Sequence, residues 1–93
     1  MAFVLKHKES GQIAAAVQKN SYDLGYYGVG WWHSEEEAAE AKERFLQSAG
    51  CSDPESWLFE QVDEHKLKMF NVKLKNDPQR KVFLTEAGQI AVE

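Results

Sequence analysis

An aromatic segment interrupted by glycines, residues 25–32, has the residue types that could bind a flat ligand. It reads Gly-Tyr-Tyr-Gly-Val-Gly-Trp-Trp. On a strand, one face would carry two aromatic residues and two glycines: Tyr26, Gly28, Gly30 and Trp32. The other face is the predicted core face: Tyr27, Val29 and Trp31. Aromatic rings on a sheet can stack on a small flat ligand or on single-stranded bases, whereas glycines in a strand indicate that another element packs closely on them.

The glycines of this segment do not form a phosphate-binding loop. A Walker loop needs Lys followed by Ser or Thr after its last glycine, and Trp31 and Trp32 stand there instead. A dinucleotide-binding fingerprint needs a third glycine where His33 stands. An RNA-recognition strand would carry a basic residue before Gly25, and this sequence has Leu24. Neither phosphate-binding motif is therefore present in this segment, and RNA recognition is disfavoured.

A second candidate binding feature is a set of lysines between residues 66 and 75. The segment reads Lys-Leu-Lys-Met-Phe-Asn-Val-Lys-Leu-Lys, in which the alternation of polar and apolar residues changes phase. We interpret it as a strand with a bulge or break at Met69–Phe70. That strand would place four lysines on one outer face: Lys66, Lys68, Lys73 and Lys75. Such a stripe could bind an acidic protein or nucleic acid, or protect an edge strand against aggregation.

Residue types that usually carry catalysis or bind metals are scattered along the chain. The three histidines are isolated: His7, His33 and His65. A metal site would have to gather its ligands from separate elements. Cys51 follows a predicted helix end and has Asp53 nearby, and both features disfavour a thiolate. Glu35–Glu37 diverge by about 100° per residue on a helix, so they do not converge on one substrate. We therefore predict no catalytic residue, no metal site and no cofactor.

The element with the clearest signals is a helix over residues 35–49. Ser34 is the predicted N-cap, and Glu37 three residues later completes a capping-box pattern. Gly50 is placed to end the helix. An apolar stripe runs along the helix: Ala38, Ala41, Phe45, Leu46 and Ala49. We expect this stripe to pack on a sheet.

Short strands joined by turns are predicted over the rest of the chain: 3–8, 12–18, 25–32, 57–62, 66–75, 81–85 and 89–92. Residues 53–62 are compatible with helix or strand, and we favour one helical turn near 54–56 followed by a strand. Asn20, Ser21 and Asp23 form a predicted loop. The predicted fold is one compact α+β domain over residues 1–93. Its antiparallel, twisted sheet has about five to seven short strands, with 25–32 and 57–62 as the central pair, and one helix on one face.

The length and composition of the chain limit the classes of protein to which it can belong. A chain of 93 residues supports one small core, and 43% of its residues are hydrophobic. No apolar run approaches the roughly 20 residues of a membrane span, and the start does not read as a signal peptide. A lone cysteine is typical of a reducing compartment, so we expect a cytoplasmic protein without membrane contact.

The net charge of −4 is unevenly distributed. Residues 34–65 carry ten acidic side chains against Lys42 and Arg44, and residues 66–93 carry six basic against three acidic ones. These blocks can attract each other within the fold or pair two copies of the chain. We expect a non-catalytic protein-interaction domain whose partner is an unknown protein or a second copy. The alternative is a binder of a small ligand or single-stranded nucleic acid through residues 25–32 and the lysines, although the acidic charge argues against nucleic acid.

Overall fold

A computed structural model describes residues 1–19, 22–51 and 53–93. Within those ranges the chain forms six strands, two α-helices and one short 3₁₀ turn at Pro54–Ser56. The strands are β1 (Ala2–His7), β2 (Ala15–Lys19), β3 (Gly25–Val29), β4 (Trp57–Val62), β5 (Val82–Leu84) and β6 (Ile90–Val92). The helices are α1 (Glu35–Ser48) and α2 (Glu64–Leu74). The predicted α+β class is confirmed.

The strands form three antiparallel pairs instead of one sheet: β1 with β4, β2 with β3, and β5 with β6. Isolated bridges link the pairs, with Lys6 opposite Ile13 and Gln12 opposite Phe83. The predicted single sheet is therefore wrong, as is the predicted central pairing of residues 25–32 with 57–62. The reason is that β3 pairs with β2, which precedes it in the chain, while β4 pairs with β1.

The β1–β4 pair forms the centre of the fold because both of its faces are covered. One face, with Ala2 and Val4 of β1, joins a core that includes three buried residues of α2: Leu67, Phe70 and Leu74. The opposite face, with Leu5 and Trp57, packs against Leu46 of α1. Burial on both faces explains why β1 is apolar from Ala2 to Leu5 without alternation. Each fully buried Leu or Phe stabilises the fold by about 1.5–3 kcal/mol.

The predicted helix over residues 35–49 is confirmed to within one residue. Ser34 Oγ accepts a hydrogen bond from the Glu37 backbone N–H at 3.1 Å. Gly50 lies in the left-handed region (φ +79°), and the Cys51 N–H bonds back to the Leu46 carbonyl at 2.9 Å. These bonds satisfy backbone groups that the helix ends leave open.

The predicted strand at 66–75, with its bulge at Met69–Phe70, is wrong: residues 66–74 lie in α2, and Lys75 is its C-cap. Leu67, Phe70 and Leu74 recur at helical spacing and are all buried. In a helix, apolar residues recur every 3.6 residues on average, so their pattern falls out of step with the two-residue alternation of a strand. This explains the change of phase at Met69–Phe70. Asp63 caps the helix by accepting the Lys66 N–H at 2.7 Å. The prediction of one helix is thus corrected to two.

The turns that flank these elements agree with the sequence. Residues 54–56 form one 3₁₀ turn followed by β4, as favoured, and β5 and β6 form the final hairpin. Asp23 has a positive φ of 62° in the predicted loop, whereas Asn20 and Ser21 lie outside the described residues.

Among the helices that are described, none combines the length and apolar character that crossing a membrane requires.

Candidate protein-interaction surface

The aromatic segment is held tightly by its neighbours. A Cβ atom added at Gly28 would lie 2.9 Å from Tyr26 Cε2 and 3.0 Å from Asn71 Oδ1. One added at Gly30 would lie 2.5 Å from the ring of Phe45. Trp32 packs edge-on against Phe45, with ring centroids 5.5 Å apart. The expectation that another element packs closely on these glycines is confirmed. Gly30 and Trp32 line a groove of about 240 Å³ between β2 and α1, whereas Tyr26 and Gly28 are not part of its lining.

Trp31 does not belong to the core, contrary to the prediction. Its side chain is 42% exposed. The chain leaves the β2–β3 pair after Val29, and Trp32 then pairs with Phe3 of β1 through bonds of 2.8 and 3.0 Å. Strand alternation from β3 therefore does not extend to Trp31.

The four lysines predicted to form one stripe are distributed around and beyond α2. Lys68 lies about 200° around the helix axis from Lys66, whereas Lys73, seven residues on, returns to the side of Lys66. Lys75 follows the helix in a left-handed conformation. Lys66 Nζ donates to the Gly88 carbonyl at 3.1 Å, so this lysine links α2 to the β5–β6 turn. A single lysine-lined face is therefore not formed.

A histidine–carboxylate pair that sequence reasoning missed joins β1 to the 3₁₀ turn. His7 Nε2 lies 3.1 Å from Asp53 Oδ2, and the Trp57 ring packs edge-on against His7 at 5.1 Å. His7 Nδ1 accepts the Glu9 backbone N–H at 3.2 Å, which places the proton of the neutral ring on Nε2. The hydrogen bond from His7 lowers the pKa of Asp53. The two residues are 46 positions apart, so no local motif indicated the pair.

Cys51 has the environment of an inert thiol. Burial raises its pKa, and the nearby Asp53 carboxylate raises it further. This direction agrees with the prediction that a thiolate is disfavoured here. Within the described residues, no group of three or more His, Cys, Asp and Glu side chains is arranged to hold a metal ion.

The outer edge of β3 is sealed by two asparagines from α2 and the turn after it. Asn71 Oδ1 accepts the Val29 N–H at 2.9 Å, and Asn76 Oδ1 accepts the Tyr27 N–H. The N–H groups of Tyr27 and Val29 therefore point away from β2. In an antiparallel pair, the residues opposite them must also direct their backbone groups outward. Those residues are Val17, opposite Tyr27, and Ala15, opposite Val29.

The outer edge of β2 is different, because no second strand pairs with β2 among the described residues. The side chain of Val17, at the middle of the strand, is 65% exposed. The groove between β2 and α1 is lined by apolar side chains such as Val17 and Phe45 and by polar ones: Gln18, Arg44 and Ser48. The accessible part of the β2 edge therefore runs from Val17 to Lys19, because Ala15 and Ala16 are buried. Such an edge can accept another strand.

The sequence carries one signal for an exposed end of β2. Val17 is followed by Gln18 and Lys19, so the strand becomes polar at its end while keeping an apolar residue at its centre. Gln18 is occupied within the hairpin, since its Nε2 donates to the Gly28 carbonyl at 3.0 Å.

No protein-family model matches the chain, and no curated protein or solved structure is significantly similar to it.

Proposed function

We propose that this chain is a non-catalytic protein-interaction domain, that its interaction surface is the outer edge of β2, and that its partner is a second copy of the chain. The observation that carries the proposal is the contrast between the two edges of one hairpin. Asn71 and Asn76 seal the edge of β3, whereas Val17 leaves the edge of β2 accessible. Proteins usually protect strand edges, and an unprotected one is a site for strand pairing.

A symmetric register supports self-pairing over other partners. Two β2 strands that meet antiparallel about Val17 would place Val17 opposite the partner's Val17, and Ala15 opposite the partner's Lys19. The outward-directed backbone groups of Val17 in both strands would then form a hydrogen-bonded pair, whereas pairing at Ala15, which is buried in the single chain, requires the residues that cover it to move. The exposed Val17 side chains would bury each other. Lys19 is the only charged residue of β2, and in this register it does not face another lysine.

The size of this contact determines how stable the dimer is. Five residues of β2 on each side bury less area than the roughly 1,200–2,000 Å² of a standard interface. We therefore propose a reversible dimer whose population rises with concentration. Because backbone hydrogen bonds and Val17 carry the contact, its stability depends little on salt. A dimer formed by the oppositely charged blocks would instead dissociate at high salt.

Sedimentation equilibrium over a range of concentrations tests this proposal. The mass of the parent chain should rise from 10.6 kDa toward twice that value. Val17→Lys should remain monomeric because it places two charges opposite each other. The matched control is Val72→Lys, since Val72 on α2 is 59% exposed and lies outside the β2–β3 pair. This control should dimerise like the parent.

A second substitution tests the backbone contribution. The Val17 N–H points away from β3, so Val17→Pro removes an outward donor without removing a donor from the β2–β3 ladder. We expect a folded monomer, with circular dichroism close to that of the parent. A parent chain that stays monomeric at every concentration, or a Val17→Lys variant that dimerises like Val72→Lys, would contradict the proposal.

The alternative function, binding of a small ligand or single-stranded nucleic acid between Tyr26 and Trp32, has less support. The ring of Phe45 occupies the space over Gly30, and the Tyr26 ring lies over Gly28. The separated lysines also offer no continuous basic surface. A cytoplasmic location is part of our proposal, supported by the single thiol at Cys51.

A further inference from the structure

A cleft of about 480 Å³ lies between α2 and the loop that follows β3, and it shares Trp31 with the groove beside β2. Its volume is within the range of small-molecule sites, about 300–1,000 Å³. The lining includes an aromatic residue, two histidines, an aliphatic residue, a lysine and an amide: Trp31, His33, His65, Leu67, Lys68 and Asn71. The cleft therefore combines one flat apolar wall with several hydrogen-bond donors.

The flat wall is the indole of Trp31. This side chain is 42% exposed although it is large and apolar. Its ring packs edge-on against His33, with centroids 4.9 Å apart and planes at 82°, which restrains its orientation. An exposed aromatic ring held by a neighbour can stack on a planar ligand with little further loss of side-chain freedom.

The donors come from one face of α2. Lys68 and Asn71 are three residues apart, so both lie on the same side of the helix. Asn71 Oδ1 is occupied by the Val29 N–H, and this leaves its Nδ2 group as the donor of the amide. Lys68 forms no ion pair within the described part of the chain. Glu64 is the one carboxylate in the lining, against Lys68 and the imidazoles of His33 and His65.

We propose that this cleft binds a small planar aromatic molecule that carries one carboxylate. The ring of the ligand stacks on Trp31, and its carboxylate accepts hydrogen bonds from Lys68 and Asn71. One ammonium and one amide match a monoanionic carboxylate, whereas a phosphate dianion usually draws on several cations or a backbone nest. Trp31 also lines the groove beside β2, but Lys68 and Asn71 do not, so variants at Lys68 test this proposal separately from self-association.

Titration of the full chain with indole-3-carboxylate, followed by ¹H–¹⁵N correlation spectra, tests the site. Saturable shifts are expected at the Trp31 indole N–H and at amides of residues 64–71. Indole-3-carboxamide, which lacks the charge, should bind about tenfold more weakly. The titration is repeated with Val17→Lys, so that dimerisation does not contribute to the shifts.

Two variants localise the carboxylate contact. Lys68→Gln should weaken binding of indole-3-carboxylate about tenfold, because a charge-assisted hydrogen bond is lost. Lys73→Gln removes the same charge from an exposed position of α2 outside the cleft lining and should bind like the parent. Absence of saturable shifts, equal binding of the carboxamide, or equal affinity of the Lys68→Gln and Lys73→Gln variants would overturn the proposal.

Discussion

Substitution of Gly30 by alanine should loosen the contact between α1 and the strands it covers. A Cβ atom at this position would lie 2.5 to 2.7 Å from three atoms of the Phe45 ring. Carbon atoms in contact are normally about 3.5–4.0 Å apart, so the ring must move by roughly 1 Å or more. Phe45 also packs edge-on against Trp32, and a displaced ring would lose that geometry.

The cost can be worked from these contacts. Forcing an extra methyl group into a packed site costs about 1–3 kcal/mol, and an aromatic pair contributes about 0.5–1.5 kcal/mol. Phe45 is only partly buried, so the ring can move outward, and we expect a total near 2 kcal/mol. For a domain of this size, 1 kcal/mol lowers Tm by about 4–8 °C. Gly30→Ala should therefore lower Tm by about 8–16 °C.

Gly25→Ala is the matched control within the same segment. A Cβ there would meet nothing closer than 3.9 Å. Removing the freedom of a glycine from the unfolded chain stabilises by about 0.4–1 kcal/mol where the conformation permits it. We expect Gly25→Ala to equal or slightly exceed the stability of the parent in urea unfolding monitored by Trp fluorescence.

A double-mutant cycle assigns the loss to Phe45. In a Phe45→Leu background the shorter side chain leaves room for the new methyl group, so Gly30→Ala should cost less than about 1 kcal/mol. The reasoning is refuted if Gly30→Ala is as stable as Gly25→Ala. It is also refuted if the cost of Gly30→Ala is the same with Leu at position 45.

Two further predictions concern α2 and the His7–Asp53 pair. Phe70→Ala should lower the free energy of unfolding in urea by about 3–5 kcal/mol because Phe70 is fully buried. Val72→Ala, on the exposed side of the same helix, should change it by less than about 0.5 kcal/mol. Equal effects of the two substitutions would contradict the helical register. The folded-state pKa of Asp53 lies below its ordinary value of 3.8, so its stabilisation is complete above that pH and is lost as pH falls through the folded-state pKa. The advantage of the parent over Asp53→Asn in urea unfolding should therefore be present at about pH 5 and disappear as the pH falls through the folded-state pKa of Asp53, and an advantage that persists in acid would contradict this linkage.

Elements with local signals could be predicted from the sequence. Helix α1 has its cap at Ser34 and its terminating glycine at Gly50, and both act within a few residues of the helix ends. The 3₁₀ turn at Pro54 followed by β4 was also predictable, because proline fixes the first position of a helical turn. In these segments, neighbours in sequence determine the backbone conformation.

Helix α2 shows where local pattern misled. Its lysines alternate with apolar residues at both ends, which resembles a half-buried strand. Two signals favoured a helix: the capping residue Asp63, and the spacing of Leu67, Phe70 and Leu74. Tertiary burial of that apolar face decides the outcome, as it often does where intrinsic preferences are weak.

The candidate interaction surface depends on contacts that no local pattern encodes. The edge of β3 is sealed by Asn71 and Asn76, which are more than 40 residues away in sequence. Val17 lies on an open edge because, among the described residues, β2 pairs with β3 and with no other strand. Strand pairing between distant segments is set by the whole core, so it could not be derived from composition or periodicity.

Amide hydrogen exchange of Val17, measured at low and high protein concentration, tests the central claim most directly. At low concentration the Val17 N–H should exchange fast, whereas the Val29 N–H should be protected by Asn71 at both concentrations. At high concentration the exchange of Val17 should slow as the two β2 strands pair, and that of Val29 should not change. If the Val17 N–H exchanges at the same rate at both concentrations while the mass of the protein doubles, the dimer forms elsewhere. If the mass also stays constant, the protein does not self-associate, and the proposed function is wrong.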